Sequence, residues 1–174
     1  DEFNAFDTFN YPHLCEAGVN FNFNEHNILK PDFTKPMLPH FELDNNVIIF
    51  SLFPGIEEHL IHHMFDAPEL RSIVMRSYGS GNAPQQPWLM NLLRKVTERN
   101  VIVVNISQCI SGQVEMNRYD TGYQLKDAGV ISGYDSTVEA AVTKLMYLQA
   151  KYNDTETIRK YMKQSIAGEI TIYN

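Results

Sequence analysis

Three short apolar runs, separated by segments with a helical pattern, constrain the fold of this 174-residue chain most strongly. The runs are Val47–Phe50, Ile73–Met75 and Val101–Val104. Unbroken apolar runs of this length are typical of strands that are covered on both faces. Between them, Ile56–Phe65 and Trp88–Val96 place apolar residues three and four positions apart, as an amphipathic helix does. Strand and helix therefore alternate, which predicts a parallel sheet.

The last third of the chain extends this alternation. Val130–Ile131 is a candidate fourth strand, and Val138–Met146 again shows a helical period. Ser136 and Glu139 form a capping-box pattern at the start of this helix. Asp154–Ala167 is predicted as a final helix, with the aspartate as its N-cap. The predicted fold class is α/β: a parallel sheet of about four strands with helices on both faces, a three-layer arrangement of flavodoxin-like shape.

The first 45 residues differ in composition from the rest of the chain. They hold four of the eight prolines and many asparagine and phenylalanine residues. Val19–Asn24 alternates apolar and polar side chains, which predicts a half-buried strand. The proline-rich stretches around it are typical of ordered, extended chain, and the segment has too many aromatic residues for a disordered tail. We therefore expect an extended segment over residues 1–45 and a regular α/β domain over residues 46–174.

Charge and hydropathy exclude several classes of partner. A net charge of −7 argues against a nucleic-acid backbone or an anionic membrane, because both require clustered Lys and Arg. No apolar run approaches the ~20 residues of a membrane span, and no secretory signal pattern is visible. The chain begins at Asp1 rather than Met, so we expect a trimmed or processed product with further sequence before it. Cys15 and Cys109 are expected to be reduced thiols of a cytoplasmic protein, with a disulfide as the alternative.

Loops after the strands are the places to look for a ligand, since open parallel sheets bind ligands beyond the carboxyl ends of their strands. One such loop contains Gly79 and Gly81. The dinucleotide fingerprint requires a third glycine, but Pro84 stands there, and Asn105 ends the next strand where an acidic ribose partner is expected. A phosphate-binding P-loop is excluded because no Gly-Lys-Ser/Thr follows. The pattern leaves open a tight turn without a ligand and a site for a small molecule.

Three other groups of residues carry recognisable chemistry. His59, His62 and His63 have a spacing that can hold a metal, but the apolar residues of their helix leave them on its polar side, and we predict no metal site. Cys109 has no evident base beside it in the sequence, as a nucleophilic thiol requires. Arg76 is a lone cation at the end of an apolar strand, and either a salt bridge or a ligand would account for it.

Seven short motifs occur in order and with consistent spacing along the chain. They are Asn4–Asp7, Asn10–Pro12, Arg76–Pro84, Val103–Cys109, Tyr119–Gly122, Ala128–Ile131 and Thr137–Ala140. The last five resemble the C-terminal half of the type I, cytoplasmic L-asparaginases. The first two are similar to the segment that joins the two domains of that family.

This resemblance implies that the catalytic residues lie in a different domain from the one in this chain. The family hydrolyses L-asparagine to L-aspartate and ammonia with a threonine of a Thr-Gly-Gly-Thr motif, a Thr-Asp pair and a lysine, all in the N-terminal domain. Neither Thr-Gly-Gly-Thr nor Gly-Thr-Asp occurs here. The resemblance therefore implies that this chain holds no catalytic residue and is inactive alone. It implies no cofactor, and an intact enzyme that is a homodimer or homotetramer. Residues 1–45 then correspond to the interdomain linker with a remnant of the N-terminal domain.

The resemblance also assigns residues to a substrate site. In the family, the C-terminal domain helps to close the active site of a neighbouring subunit. The matching position here is Asn82, and we expect Gly81 and Tyr119 to support it. The turn after the second strand of the sheet is thus expected to approach a small amino acid rather than a phosphate.

A second asparagine, bound as an effector, is implied by some type I members. The matching positions are Arg76, Ser107 and Cys109, with serine where threonine is common. A guanidinium suits an α-carboxylate because its donors form a planar fork. Since neighbouring strands of such a sheet are usually adjacent, we expect the three side chains to lie close together.

Two alternatives stay open at this point. One is the asparaginase-like subunit of an archaeal tRNA-dependent amidotransferase, which supplies ammonia to a partner. The acidic balance and the lack of a tRNA-binding extension count against it. The other is a free-standing module that binds a small ligand. The sequence leaves open the preference between asparagine and glutamine, the origin of the truncation and the existence of effector regulation.

Overall fold

A computed structural model of the chain describes residues 8–117 and 120–172. The chain divides into two compact units, Asp1–Phe41 and Glu42–Asn174. Each unit has its own sheet.

The first unit contains a short hairpin. Strands β1 (Cys15–Ala17) and β2 (Phe21–Phe23) pair in antiparallel register. Every described residue from 8 to 41 is exposed or half-buried. The predicted strand over Val19–Asn24 is therefore present only in its middle three residues, and the expectation that it is half-buried is wrong. Phe21 and Phe23 remain exposed because this two-stranded sheet has no layer packed over either side within the described part of the unit.

The second unit is built on a four-stranded sheet, as predicted. Its strands are β3 (Val47–Ser51), β4 (Ser72–Ser77), β5 (Ile102–Ser107) and β6 (Ile131–Ser132). They lie in the order β3-β4-β5-β6, and each pair of neighbours is parallel. The carboxyl ends of the four strands therefore share one edge of the sheet.

In the described part of the chain, five helices cover the two faces of this sheet, which confirms the three-layer arrangement. Helices α1 (Glu58–Phe65), α2 (Pro87–Glu98) and α3 (Asp120–Asp127) contribute to the core on one face. Helices α4 (Val138–Lys151) and α5 (Thr155–Met162) contribute to the core on the other. Helix α3 was not predicted from the sequence, because it has only two buried residues and so lacks an apolar stripe.

Strand β4 shows why the apolar runs are unbroken. Successive side chains of a strand point to opposite faces, so Ile73 and Met75 join one core while Val74 joins the other. All three are fully buried. Each apolar side chain buried in this way stabilises the fold by about 1.5–3 kcal/mol.

Two predicted helix ends require correction. The capping box at Ser136 and Glu139 is wrong, because the N-cap of α4 is Thr137, whose Oγ1 accepts a hydrogen bond from the Ala140 amide at 3.2 Å. Helix α5 ends at Met162 rather than near Ala167. Beyond it, the Glu169 carboxylate accepts hydrogen bonds from the amides of Ile166 and Ala167, which folds this stretch into a loop.

The same carboxylate makes an ion pair that holds the loop against α4. Nζ of Lys144 lies 2.5 Å from Oε1 of Glu169, and only 5% and 13% of the two side chains are exposed. Burial would raise the pKa of Glu169, but the hydrogen bonds from Lys144 and the backbone amides outweigh it and hold that pKa below its ordinary value. Burial lowers the pKa of Lys144, against the opposing effect of Glu169.

Candidate functional site

The turn that follows β4 lies at the carboxyl edge of the sheet. Its ends are joined by two backbone hydrogen bonds, from the Tyr78 amide to the Asn82 carbonyl at 2.9 Å and from the Asn82 amide to the Tyr78 carbonyl at 2.8 Å. Gly79 and Gly81 both have positive φ, of 50° and 104°, a conformation that glycine adopts without steric cost. The two glycines therefore allow the chain to reverse within five residues.

Gly81 also brings the turn into close contact with its surroundings. A Cβ atom at this position would lie 2.7 Å from Cγ1 of Val114 and 3.3 Å from Nδ2 of Asn105. Instead, Nδ2 of Asn105 donates a hydrogen bond to the Gly81 carbonyl at 3.1 Å. From the sequence, Asn105 is notable only as a non-acidic residue. The signal that could have revealed its role is its polar side chain in a buried strand, because such a side chain requires a hydrogen-bond partner.

Asn82 is held at its side chain as well as at its backbone. Oγ1 of Thr121, in α3, donates a hydrogen bond to Oδ1 of Asn82 at 2.9 Å. No described residue accepts a hydrogen bond from Nδ2 of Asn82, and the side chain is half-buried. The amide thus presents hydrogen-bond donors that a ligand can use.

Glycine follows Thr121 in helix α3 and allows the helix to lie directly against the backbone of Met116. A Cβ atom at Gly122 would collide with the backbone of Met116. The threonine-glycine pair therefore has a local physical explanation. Thr121 makes the hydrogen bond to Asn82, and Gly122 allows the helix to lie against the backbone of Met116. Tyr119, the other residue expected to support Asn82, lies outside the described residues.

The ends of β4 and β5 lie side by side, as expected. Arg76 pairs with Ile106, and Ser77 pairs with Ser107. Alternation along the strands therefore directs the Arg76 and Ser107 side chains toward opposite faces of the sheet. Nε of Arg76 is buried and has no hydrogen-bond partner among the described residues. The pairing therefore does not bring the Arg76 and Ser107 side chains together as expected, and joint binding of a ligand by Arg76, Ser107 and Cys109 stays a prediction.

Ser107 is tied to the turn that carries Asn82. Its hydroxyl donates to the Gly79 carbonyl at 2.6 Å and accepts from the Cys109 amide at 3.0 Å. The hydroxyl of Thr121 is likewise used as a donor to protein oxygen. The hydrogens of both hydroxyls are therefore held by protein oxygens, and neither is directed at a general base among the described residues.

Gln108 links the ends of three strands by hydrogen bonds. Its backbone amide donates to the Ser77 carbonyl at 2.8 Å, and its Nε2 donates to the carbonyls of Leu52 at 2.6 Å and Arg76 at 2.9 Å. Sequence reasoning assigned Gln108 no role. Its side chain keeps the loops after β3, β4 and β5 in fixed relation, so the edge is a rigid support for the turn.

The three histidines of α1 behave as a polar helix surface. Nε2 of His62 lies 3.3 Å from Oε1 of Glu58, one helical turn away. Over residues 8–117 and 120–172, no group of His, Cys, Asp and Glu side chains is arranged to hold a metal ion. Both cysteines are free thiols. None of the helices in the described part of the chain has the length and apolar character needed to cross a membrane.

The fold and this edge define a class of protein. Residues 46–162 match the glutaminase/asparaginase C-terminal domain, and the chain belongs to this family. It is 39% identical over 179 residues to L-asparaginase 1 of Escherichia coli, covering 98% of this chain and 50% of that protein. The chain thus spans half the length of this relative. The resemblance drawn from the sequence motifs is confirmed.

Further comparisons agree with this assignment. The crystal structure of L-asparaginase I from Vibrio cholerae is 37% identical to the chain, with a TM-score of 0.87 over 94% of this chain and 49% of that one. A glutamyl-tRNA(Gln) amidotransferase subunit from Methanobrevibacter smithii is 38% identical over 127 residues, which cover 73% of this chain and 28% of that protein. The amidotransferase alignment leaves more of this chain unmatched.

Proposed function

We propose that this chain is the C-terminal domain, with its preceding interdomain segment, of an L-asparaginase that hydrolyses L-asparagine to L-aspartate and ammonia. The observation that carries the proposal is the similarity of nearly the whole chain to L-asparaginase 1 of Escherichia coli. On this proposal, the threonine nucleophile and its Thr-Asp and lysine partners belong to an N-terminal domain that precedes residues 46–174. Residues 1–45 are then the linker with a remnant of that domain.

Asn82 is the residue that we assign to the substrate. Its unpartnered Nδ2 donors suit a carboxylate or carbonyl oxygen of a small amino acid, and a hydrogen bond to a charged group is worth about 1.5–3 kcal/mol. The site it completes is that of a neighbouring subunit in a cytoplasmic homodimer or homotetramer. Gly81 supports Asn82 by allowing the turn to pack against β5, and Tyr119 is proposed as a further support.

Arg76, Ser107 and Cys109 are proposed to bind a second asparagine as an effector. The unpartnered Nε of Arg76 supports this assignment, since a buried donor without a partner is costly unless a ligand satisfies it. The hydrogen bond from Ser107 to Gly79 gives the same edge a connection to the turn of Asn82.

Activity measurements on the intact protein test the substrate assignment. Asn82→Ala is expected to lower kcat/KM for asparagine by about ten- to a hundredfold, as the loss of one charged hydrogen bond does. Asn91→Ala is the matched control, because Asn91 is an exposed residue of α2 whose Oδ1 accepts a hydrogen bond from Arg94 of the same helix. An intact wild-type protein that releases no ammonia from asparagine would refute the proposed function.

The chain alone provides a second test. We expect it to release no ammonia from asparagine, because the proposed nucleophile belongs to the other domain. Ammonia release above a buffer blank, at a rate proportional to the concentration of the purified chain, would contradict the assignment of the nucleophile to the other domain.

Substitution of Arg76 tests the proposed effector site. In the intact protein, Arg76→Ala is expected to convert a sigmoidal dependence on asparagine into a hyperbolic one while sparing activity at saturation. Arg94→Ala, in the exposed part of α2, is the control and should leave the curve sigmoidal. Unchanged cooperativity in Arg76→Ala, or hyperbolic kinetics of the wild type, would leave Arg76 with a structural role alone.

A further inference from the structure

Thr121 occupies a position in the site that the proposed function does not assign. Its hydroxyl reaches Asn82 from α3, 39 residues along the chain, and donates to Oδ1 at 2.9 Å. This is the only hydrogen bond of that hydroxyl within the described residues. The contact therefore joins one defined donor to one defined acceptor.

The contact matters because an asparagine amide has two ends of similar shape and opposite polarity. A rotation of the amide would exchange the oxygen, which accepts hydrogen bonds, for the NH₂ group, which donates them. In the rotated state Nδ2 would donate to the Thr121 oxygen instead, and the hydroxyl hydrogen would lose the only acceptor that it has among the described residues. The threonine thus favours the state with Oδ1 directed inward and Nδ2 available to a ligand.

Both partners of this contact are fixed independently of each other. The backbone of Asn82 is closed onto Tyr78 by two hydrogen bonds, and the turn is anchored to β5 through Asn105. Helix α3 is anchored by the fully buried Leu125 and by the close approach of Gly122 to Met116. Loss of the hydroxyl would therefore release the amide of Asn82 without releasing the turn or the helix.

We propose that Thr121 is a positioning residue that orients the Asn82 amide so that its NH₂ group meets an acceptor group, a carboxylate or carbonyl oxygen, of the amino-acid ligand. The inference rests on the proposed function of Asn82. It adds a residue that touches no substrate and acts through another side chain. It also predicts a preference for ligands with an acceptor at this place, since a ligand amine would meet a donor.

Kinetics of the intact protein test the role of Thr121. Thr121→Val keeps the shape of the side chain and removes the hydroxyl, and it is expected to lower kcat/KM for asparagine at least fivefold. Thr121→Ser restores the hydroxyl and should stay within twofold of the wild type. Thr143→Val is the matched control, because Thr143 is an exposed residue of α4 whose hydroxyl bonds its own helix. If Thr121→Val does not fold, Thr121→Ala takes its place. An unchanged kcat/KM in the variant without the hydroxyl, or an equal loss in Thr121→Ser, overturns the proposal.

A second measurement does not depend on activity. In the ¹⁵N-labelled chain, the side-chain amide resonances of Asn82 are identified by their absence from Asn82→Ala. They should shift in Thr121→Val and return to their wild-type positions in Thr121→Ser. Unchanged resonances in Thr121→Val overturn the orientation of Asn82 by Thr121. Should the intact wild type lack asparaginase activity, the proposed function fails, and these resonances alone decide whether Thr121 orients the amide.

Discussion

Residues 8–41 and residues 42–172 both contain many large apolar side chains, yet only the second stretch buries them. Phe33 in the first is 91% exposed, whereas Phe65 in the second is fully buried. The difference lies in the layers: the second stretch has helices over both faces of a sheet, whereas the first has a hairpin that no other described element of that stretch covers. Apolar content alone does not make a core, because a sheet face must be covered by another element.

The exposed apolar residues of the first stretch are those that a partner would cover on the proposed function. Contiguous exposed apolar patches are rare on monomeric proteins unless another surface covers them. On the proposed function, that partner is the N-terminal asparaginase domain. On this proposal, residues 42–172 belong to a domain that is stable by itself, whereas residues 8–41 depend on the partner to bury their apolar side chains.

Amide hydrogen exchange should show the largest contrast between the two stretches. Amides of β4 and β5 should exchange only on global unfolding, whereas those of β1 and β2 exchange by local opening. We expect protection factors that differ by at least about a thousandfold, measured by exchange and mass spectrometry of the chain. Equally slow exchange over residues 14–24 would mean that the first stretch carries structure of its own.

Two phenylalanine substitutions compare the stretches directly. Phe65→Ala is expected to lower the free energy of unfolding by about 3–5 kcal/mol, because it removes a ring from a closed core. Phe33→Ala should change it by less than about 0.5 kcal/mol, as substitutions at exposed sites do. Denaturant titration of both variants measures the difference. Similar losses would show that the two rings contribute alike to stability.

The ion pair between Lys144 and Glu169 gives the next largest effect. Glu169→Gln leaves a nearly buried ammonium without a counter-charge, and we expect a loss of about 3 kcal/mol in the free energy of unfolding at neutral pH. The pKa of Glu169 is lowered in the folded state, so its contribution is complete above the unfolded pKa and disappears as the pH falls through the folded pKa. Stability of the wild type should therefore fall more steeply than that of the variant below about pH 4.3. Parallel pH profiles would contradict the ion pair.

The smallest effect on stability is expected at two side chains that accept hydrogen bonds from nearby backbone amides. Thr137 caps α4 in the second stretch, and Thr137→Ala should cost about 1 kcal/mol. Asp32 bonds the Thr34 amide in the first stretch, and Asp32→Ala should leave the unfolding midpoint unchanged, because that turn lies outside any core. Thermal unfolding of the two variants provides the measurement. A lowered midpoint in Asp32→Ala would place the first stretch within the cooperative unit.

The parts of the molecule that could be predicted are those governed by local periodicity. Strands β3, β4 and β5 followed from apolar runs, and the turn after β4 followed from its two glycines. Helix α3 could not be found this way, since Gly122 and Leu125 are its only buried residues. The contacts of Asn105 with Gly81 and of Thr121 with Asn82 span 24 and 39 residues. Only the assembled sheet brings such partners together, so no local pattern reports them.

The hydroxyl of Ser107 has a single hydrogen, and the Gly79 carbonyl already holds it at 2.6 Å. A ligand that accepted a hydrogen bond from this hydroxyl would compete with the turn for that hydrogen. Binding at the strand end and the conformation of the turn would then be thermodynamically linked. Such linkage is reciprocal. If the ligand loosens the turn when it binds, then contacts that hold the turn and Asn82 in place weaken the affinity for that ligand by the same free energy.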